Sequence, residues 1–113
     1  MKYDLDERTI KFAANVITIN QKVAFSFSTK NIQEQLLRSA TSIGANYQEA
    51  NGAASKSDFR NKISICKKEA LETQYWIRLM ATLDTNNKDA WNTLYKECHE
   101  LLLIFSRIFH SSR

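Results

Sequence analysis

Apolar residues recur at three- and four-residue steps along most of the chain, the spacing of amphipathic helices rather than the alternation of strands. Ile10, Phe12, Val16, Ile17, Ile19 and Val23 mark a first helix over about residues 6–23. The pattern breaks at Phe25-Ser26-Phe27-Ser28-Thr29. There Ser28 or Thr29 is a candidate N-cap, its hydroxyl accepting from a free amide of the next turn. A second helix follows over about 30–51, with Ile32, Leu36, Ala40, Ile43, Tyr47 and Ala50 along its inward stripe. Its middle, Ser39 to Ala45, is rich in small side chains, which lets another helix come close. Asn51-Gly52 closes it, because both residue types tolerate the left-handed conformation common just past a helix end.

Ser55 and Asp58 resemble a capping box with Asp in place of Glu, and Ser57 is the alternative cap. The third helix runs over about 58–83, and Asp84-Thr85-Asn86-Asn87 is a turn of residues that bond their own backbone. A fourth helix over about 88–109 shows Trp91, Leu94, Tyr95, Cys98, Leu101, Leu102, Phe105, Ile108 and Phe109 on one broad face. Four helices joined by short turns predict an all-α, antiparallel up-down four-helix bundle, one domain over 1–113. The absence of proline and the presence of only two glycines, Gly44 and Gly52, agree with long helices and few turns.

The third helix is wider in its apolar arc than a small bundle core requires. Phe59, Ile63, Cys66, Ala70, Ile77 and Ala81 fill one sector at 100° per residue, and Ile65, Trp76, Leu79, Met80 and Leu83 fill the next. Leu103 and Ile104 also leave the main face of the fourth helix. A surplus of this kind predicts contact with another subunit, so a homo-oligomer is expected. On the opposite side Arg60, Lys67, Gln74 and Arg78 form a stripe, with Lys56 in line if the helix extends back.

That stripe gives the charge its meaning. The net charge is +4, and residues 52–83 hold six basic side chains against three acidic ones. Lys56, Arg60, Lys67 and Arg78 are therefore the candidate phosphate contacts, and symmetry would repeat them in an oligomer. No aromatic lies within the stripe, so stacking of single-stranded bases is not expected.

Composition bounds the remaining classes. At 43% apolar and 25% charged residues the chain reads as a globular protein. Its longest apolar run, Leu101 to Phe105, is far too short to span a membrane, and Met1-Lys2-Tyr3-Asp4 leads into charge rather than a targeting segment. Cys66 and Cys98 sit among apolar neighbours and read as reduced, buried thiols of a cytoplasmic protein. No Glu is followed by His three residues later, which argues against a bundle metal site. No phosphate loop or nucleophile elbow is present, so neither cofactor nor catalysis is expected. Polar residues inside the apolar stripes matter more. Arg38, Ser42, Asn46 and Glu49 step along one side of the second helix, and Glu69 and Glu72 interrupt the arc of the third. Carboxylates there require partners, and the expected solution is a network in which Glu69 or Glu72 accepts from Arg38, Asn46 or a neighbouring subunit.

The run Leu37-Arg38-Ser39-Ala40-Thr41-Ser42-Ile43-Gly44-Ala45-Asn46-Tyr47-Gln48-Glu49-Ala50, with Asp58-Phe59-Arg60-Asn61-Lys62-Ile63 and Lys68-Glu69-Ala70-Leu71-Glu72-Thr73-Gln74-Tyr75-Trp76, carries a resemblance. It resembles the four-helix-bundle proteins encoded in intervening sequences of bacterial 23S rRNA genes. The resemblance covers nearly the whole chain. It rests on the Arg-Ser-x-x-Ser-Ile-x-x-Asn-x-x-Glu pattern at Arg38, Ser39, Ser42, Ile43, Asn46 and Glu49, and on Glu69, Ala70 and Glu72. It implies an up-down bundle assembled as a ring-like homopentamer and associated with structured RNA or DNA. The accessory protein of diversity-generating retroelements, a basic pentamer working beside a reverse transcriptase, is similar in fold. The alternative function it suggests is a scaffold or accessory subunit for such a nucleic-acid-processing enzyme.

Overall fold

The computed structural model describes residues 4–112, so the Met1-Lys2-Tyr3 opening considered above lies outside the described residues. Four α-helices carry the fold: α1 Leu5–Lys22, α2 Phe27–Asn51, α3 Lys56–Leu83 and α4 Lys88–Ser111. No strand occurs among the described residues. α2 packs most extensively on α3, and α3 on α4; α1 lies on α2 and touches α4 more lightly. The diagonal pairs pack far less, with Tyr47 of α2 meeting Phe105 of α4 across the core, which gives the square of an up-down four-helix bundle. The long axis is 44 Å, about the length of α3 alone at 1.5 Å per residue.

Local chemistry explains the helix ends. Asp6 and Glu7 stand in the first turn of α1 and Lys22 in its last, each matched to the helix dipole. α2 begins three residues before the expected Lys30, and its cap is Ser26 rather than Ser28 or Thr29. Ser26 Oγ accepts from the Ser28 amide at 3.1 Å, and its carbonyl accepts from the Lys30 amide at 3.0 Å. Those two bonds draw Phe27, Ser28 and Thr29 into the first turn, where Thr29 is buried and Phe27 is not. At the other end Gly52 has φ −95°, so the helix closes without a left-handed residue; the Gly52 amide donates to the Gln48 and Glu49 carbonyls.

Ser55 caps α3, its hydroxyl accepting from the Asp58 amide at 3.0 Å. The helix then starts at Lys56, which puts that lysine in line with Arg60. After α3 a single 3-10 turn, Thr85–Asn87, reverses the chain. Asp84 holds it, accepting from Asn87 Nδ2 at 2.8 Å and from the Trp91 indole at 2.9 Å.

A single core cluster runs the length of the square, from Phe12 and Val16 through Leu36, Ile43, Ile63 and Ile77 to Trp91, Leu101 and Phe105. Full burial of side chains of this size contributes about 1.5–3 kcal/mol each before entropy is charged against it. Four apolar assignments change. Ile10 and Ile17 are exposed, because α1 packs through Leu5, Thr9, Phe12 and Val16. Met80 and Ile104 are buried rather than turned outward: Met80 joins the core, and Ile104 is covered because α4 lies between α3 and α1. Leu103 and Leu83 are exposed.

Candidate functional site

α3 supplies two functional faces, one toward α2 and one along α4. Toward α2, Arg38 donates from Nη1 to Glu69 at 3.0 Å and from Nη2 to Glu72. Glu72 also accepts from the Trp76 indole at 3.0 Å. One turn along, the Thr73 hydroxyl lies 2.8 Å from Ser39 Oγ, both side chains fully buried. Glu49 accepts from Lys62 at 2.7 Å. Ser42 and Asn46 stay within α2, the Asn46 amide donating to the Ser42 hydroxyl and carbonyl at 2.9 Å. The six polar residues therefore divide into an Arg38–Glu69–Glu72 cluster, a Glu49 ion pair and a local Ser42–Asn46 contact. Asn46 does not reach Glu69 or Glu72, since its own helix satisfies it.

Along α4, the basic stripe becomes one bank of a seam. Two shallow grooves open on it. Lys56, Ser57, Arg60, Asn61 and Ser64 line the first, against Phe109 and Ser112. Arg78, Thr82 and Thr85 line the second, with Lys88, Asn92 and Tyr95. Arg60 and Arg78 stand 18 residues apart on one helix, about 27 Å at the helical rise. Arg60 is half-buried, its Nε and Nη2 each 3.4 Å from the Phe109 carbonyl and its guanidinium 4.1 Å above the Phe109 ring. Lys67 Nζ lies 4.7 Å from the centre of the same ring. Arg60 thus also closes the end of α4, where the helix dipole is negative. Gln74 departs from the solvated stripe expected of it. It is buried because α4 crosses that edge, with its Nε2 3.2 Å from His99 Nδ1.

The acidic residues are placed elsewhere. Glu69 and Glu72 turn to Arg38 of α2, while Glu97 and Glu100 turn to Arg8 of α1, at 3.0 and 3.2 Å. No carboxylate among the described residues lines either groove. Ion pairs among the described residues use Arg8, Arg38 and Lys62, and none uses Lys67, Lys68 or Arg78. The seam is consequently a run of cations and neutral hydrogen-bonding groups, suited to a chain of anions. Cysteine chemistry is closed off: burial pushes the Cys66 and Cys98 thiols up to about 12. A thiolate nucleophile is therefore absent at neutral pH.

One exposed aromatic escaped the sequence reading. Tyr75 is 58% exposed on the outward face of α3, one turn from Leu71 at 56%. The basic stripe runs through positions 60, 67, 74 and 78, and Tyr75 belongs neither to it nor to the apolar arc.

A family model for the 23S rRNA-intervening sequence protein matches residues 1–107. The chain belongs to that family. It is also similar to the crystal structure of a protein of unknown function from the S23 ribosomal protein family of Bacteroides thetaiotaomicron VPI-5482. Identity is 30%, the match covers 93% of this chain and 97% of that one, and the TM-score is 0.80. No curated protein matches the chain. Within this 23S rRNA-intervening sequence protein, most of the residues that carry the resemblance lie along the α2–α3 contact, in Arg38, Ser39, Glu49, Glu69 and Glu72. They are explained by helix pairing. The basic seam is a separate feature, built on the far side of α3.

Proposed function

We propose that this protein is a non-enzymatic, oligomeric helical bundle of the cytoplasm that binds structured RNA through the α3–α4 seam. The observation that carries the reading is the segregation of charge: Glu69 and Glu72 of α3 and Glu97 and Glu100 of α4 are drawn to α2 and α1, while no carboxylate among the described residues lines the grooves of the seam. Lys56, Arg60, Lys67 and Arg78 contact phosphates, and a homopentameric ring, as the resemblance implies, multiplies those contacts. Exposed Ile10, Ile17, Leu83 and Leu103 support a subunit contact. Two unpaired cysteines support a reducing compartment.

The test uses the RNA of a 23S intervening segment at rising salt, with native mass followed by light scattering. Lys67→Glu with Arg78→Glu is expected to weaken binding more than about tenfold and to reduce the salt slope by about one per lost phosphate contact. Arg60 is left in place because it closes α4. Binding that ignores both salt and charge reversal would remove the reading, and a monomer would remove its oligomeric part.

A second reading is a scaffold or accessory subunit for a nucleic-acid enzyme such as a reverse transcriptase. Phe25 in the α1–α2 connection and Phe27 at the start of α2 favour it: they are 79% and 87% exposed, with ring centres 6.1 Å apart. Salt-insensitive capture of a partner, lost in Phe25→Ser with Phe27→Ser, would select it.

A further inference from the structure

Tyr75 stands in a setting that a phosphate-only surface does not require. Residues three, four and seven positions away share its helix face, so Arg78, Glu72, Leu71 and Lys68 stand around it. At the helical rise Lys68 lies about 10 Å to one side along the axis and Arg78 about 4.5 Å to the other. The ring is outside the core cluster, yet it is not loose. It meets the Trp76 ring in a T-shaped contact, with centroids 5.1 Å apart and planes at 69°. Trp76 is itself pinned, its indole N–H donating to Glu72, which is held by Arg38. This chain of contacts braces Tyr75 on one side while the residue stays 58% exposed.

Of the other aromatics on this side, Tyr95 is partly buried against the core cluster and Phe109 is already engaged. Arg60 and Lys67 both lie on its ring, at 4.1 and 4.7 Å. Tyr75 is therefore the available ring beside the cations.

We propose that Tyr75 is a stacking platform for an unpaired nucleobase, with the phosphates on either side of that base held by Lys68 and Arg78. The inference rests on the nucleic-acid reading above and narrows its ligand. The bound element is a single-stranded segment, a loop, bulge or end, rather than continuous duplex, whose bases remain stacked inside the helix. Charge selects this occupant over a protein: the flanking groups are cations absent from the ion pairs described above, and a nucleotide brings an anion and a flat π-surface together. Glu72, the nearest carboxylate on the helix, is turned toward Arg38 and Trp76.

The experiment compares the full chain with its Tyr75→Ala, Tyr75→Leu and Tyr75→Phe variants. Probes are a short labelled oligouridylate and a blunt RNA duplex of the same length, with native mass recorded for each protein. Ala and Leu are expected to weaken oligouridylate binding roughly 5- to 150-fold, Phe to retain it, and all four proteins to bind duplex alike. Equal binding of oligouridylate by all four, with duplex binding intact, overturns the stacking role and leaves the phosphate reading standing. Failure of the wild-type chain to bind either probe overturns both. A change of native mass in Tyr75→Ala overturns the proposal in favour of a subunit contact.

Discussion

Arg38 of α2 and Glu69 of α3 meet at 3.0 Å with unequal exposure: the guanidinium is half open to solvent and the carboxylate is 8% exposed. Removing the arginine would leave a desolvated negative charge without its cation. Arg38→Met is expected to cost about 1–3 kcal/mol, the upper values for buried pairs being reduced by water that can enter where the guanidinium stood. Replacing both partners, Arg38→Met with Glu69→Leu, is expected to recover much of that loss. Urea unfolding at neutral pH measures both. A double variant no more stable than the single one would show that the stranded carboxylate is not the source of the cost.

Gly44 lies against Thr9, and the packing there opposes helix propensity. A Cβ at position 44 would sit 3.0 Å from Thr9 Oγ1 and 3.1 Å from Thr9 Cβ. Thr9 is buried, and its hydroxyl is tied to the Leu5 carbonyl at 2.6 Å, so it has little room to retreat. Alanine gains about 1 kcal/mol of propensity over glycine in a helix, but overpacking costs about 1–3 kcal/mol. Gly44→Ala is therefore expected to destabilise the protein by about 1 kcal/mol net. In a Thr9→Ala background the same change is expected to stabilise it. Thermal unfolding of the four proteins of this cycle gives the coupling, and additive effects would mean that α1 shifts freely.

Cys66 and Cys98 are expected to be silent in the folded protein. Each thiol is directed at a carbonyl of a neighbouring helix, Cys66 at Ile43 at 3.5 Å and Cys98 at Ala70 at 3.4 Å. Burial raises both from 9.0 to about 12. The folded state therefore holds these protons more tightly than the unfolded chain, so their contribution is complete below pH 9.0 and is lost as pH rises toward 12. Ellman's reagent at neutral pH should label neither cysteine until the bundle opens, with a rate that follows unfolding. Rapid labelling of either native thiol would contradict its burial.

Helix number, order and most boundaries were legible because Ser55, Asn51-Gly52 and Asp84 punctuate a strong periodicity. The start of α2 was not, since a cap at Ser26 commits the exposed Phe27 to a helix that its hydrophobicity does not explain. Periodicity also ranks positions about one axis without saying which neighbour covers them. Gln74 was read as solvated and is under α4, Ile104 was read as outward and is covered, and Ile10 was read as inward and is 65% exposed. The cations of the seam could be named from spacing. That Glu97 and Glu100 turn away from them could not, because both reach Arg8 on another helix.

The Glu72–Trp76 contact predicts how the bundle responds to acid. The Trp76 indole donating to Glu72, with Arg38 beside it, holds that carboxyl below the ordinary glutamate value of 4.5. Between its lowered folded value and 4.5 the unfolded chain binds the proton more readily than the folded one. Stability from this group is therefore present above 4.5, declines as pH falls below it, and is gone once pH passes the folded value. Glu72→Gln keeps the size of the side chain but removes the titration. The stability gap between wild type and Glu72→Gln is expected to be largest at neutral pH and to shrink through this window. Urea midpoints of both proteins across that range decide the matter. A gap that stays constant down through the window would mean that Glu72 binds its partners equally well as a neutral acid. In that case Trp76, and the Tyr75 ring braced against it, would keep their place in acid.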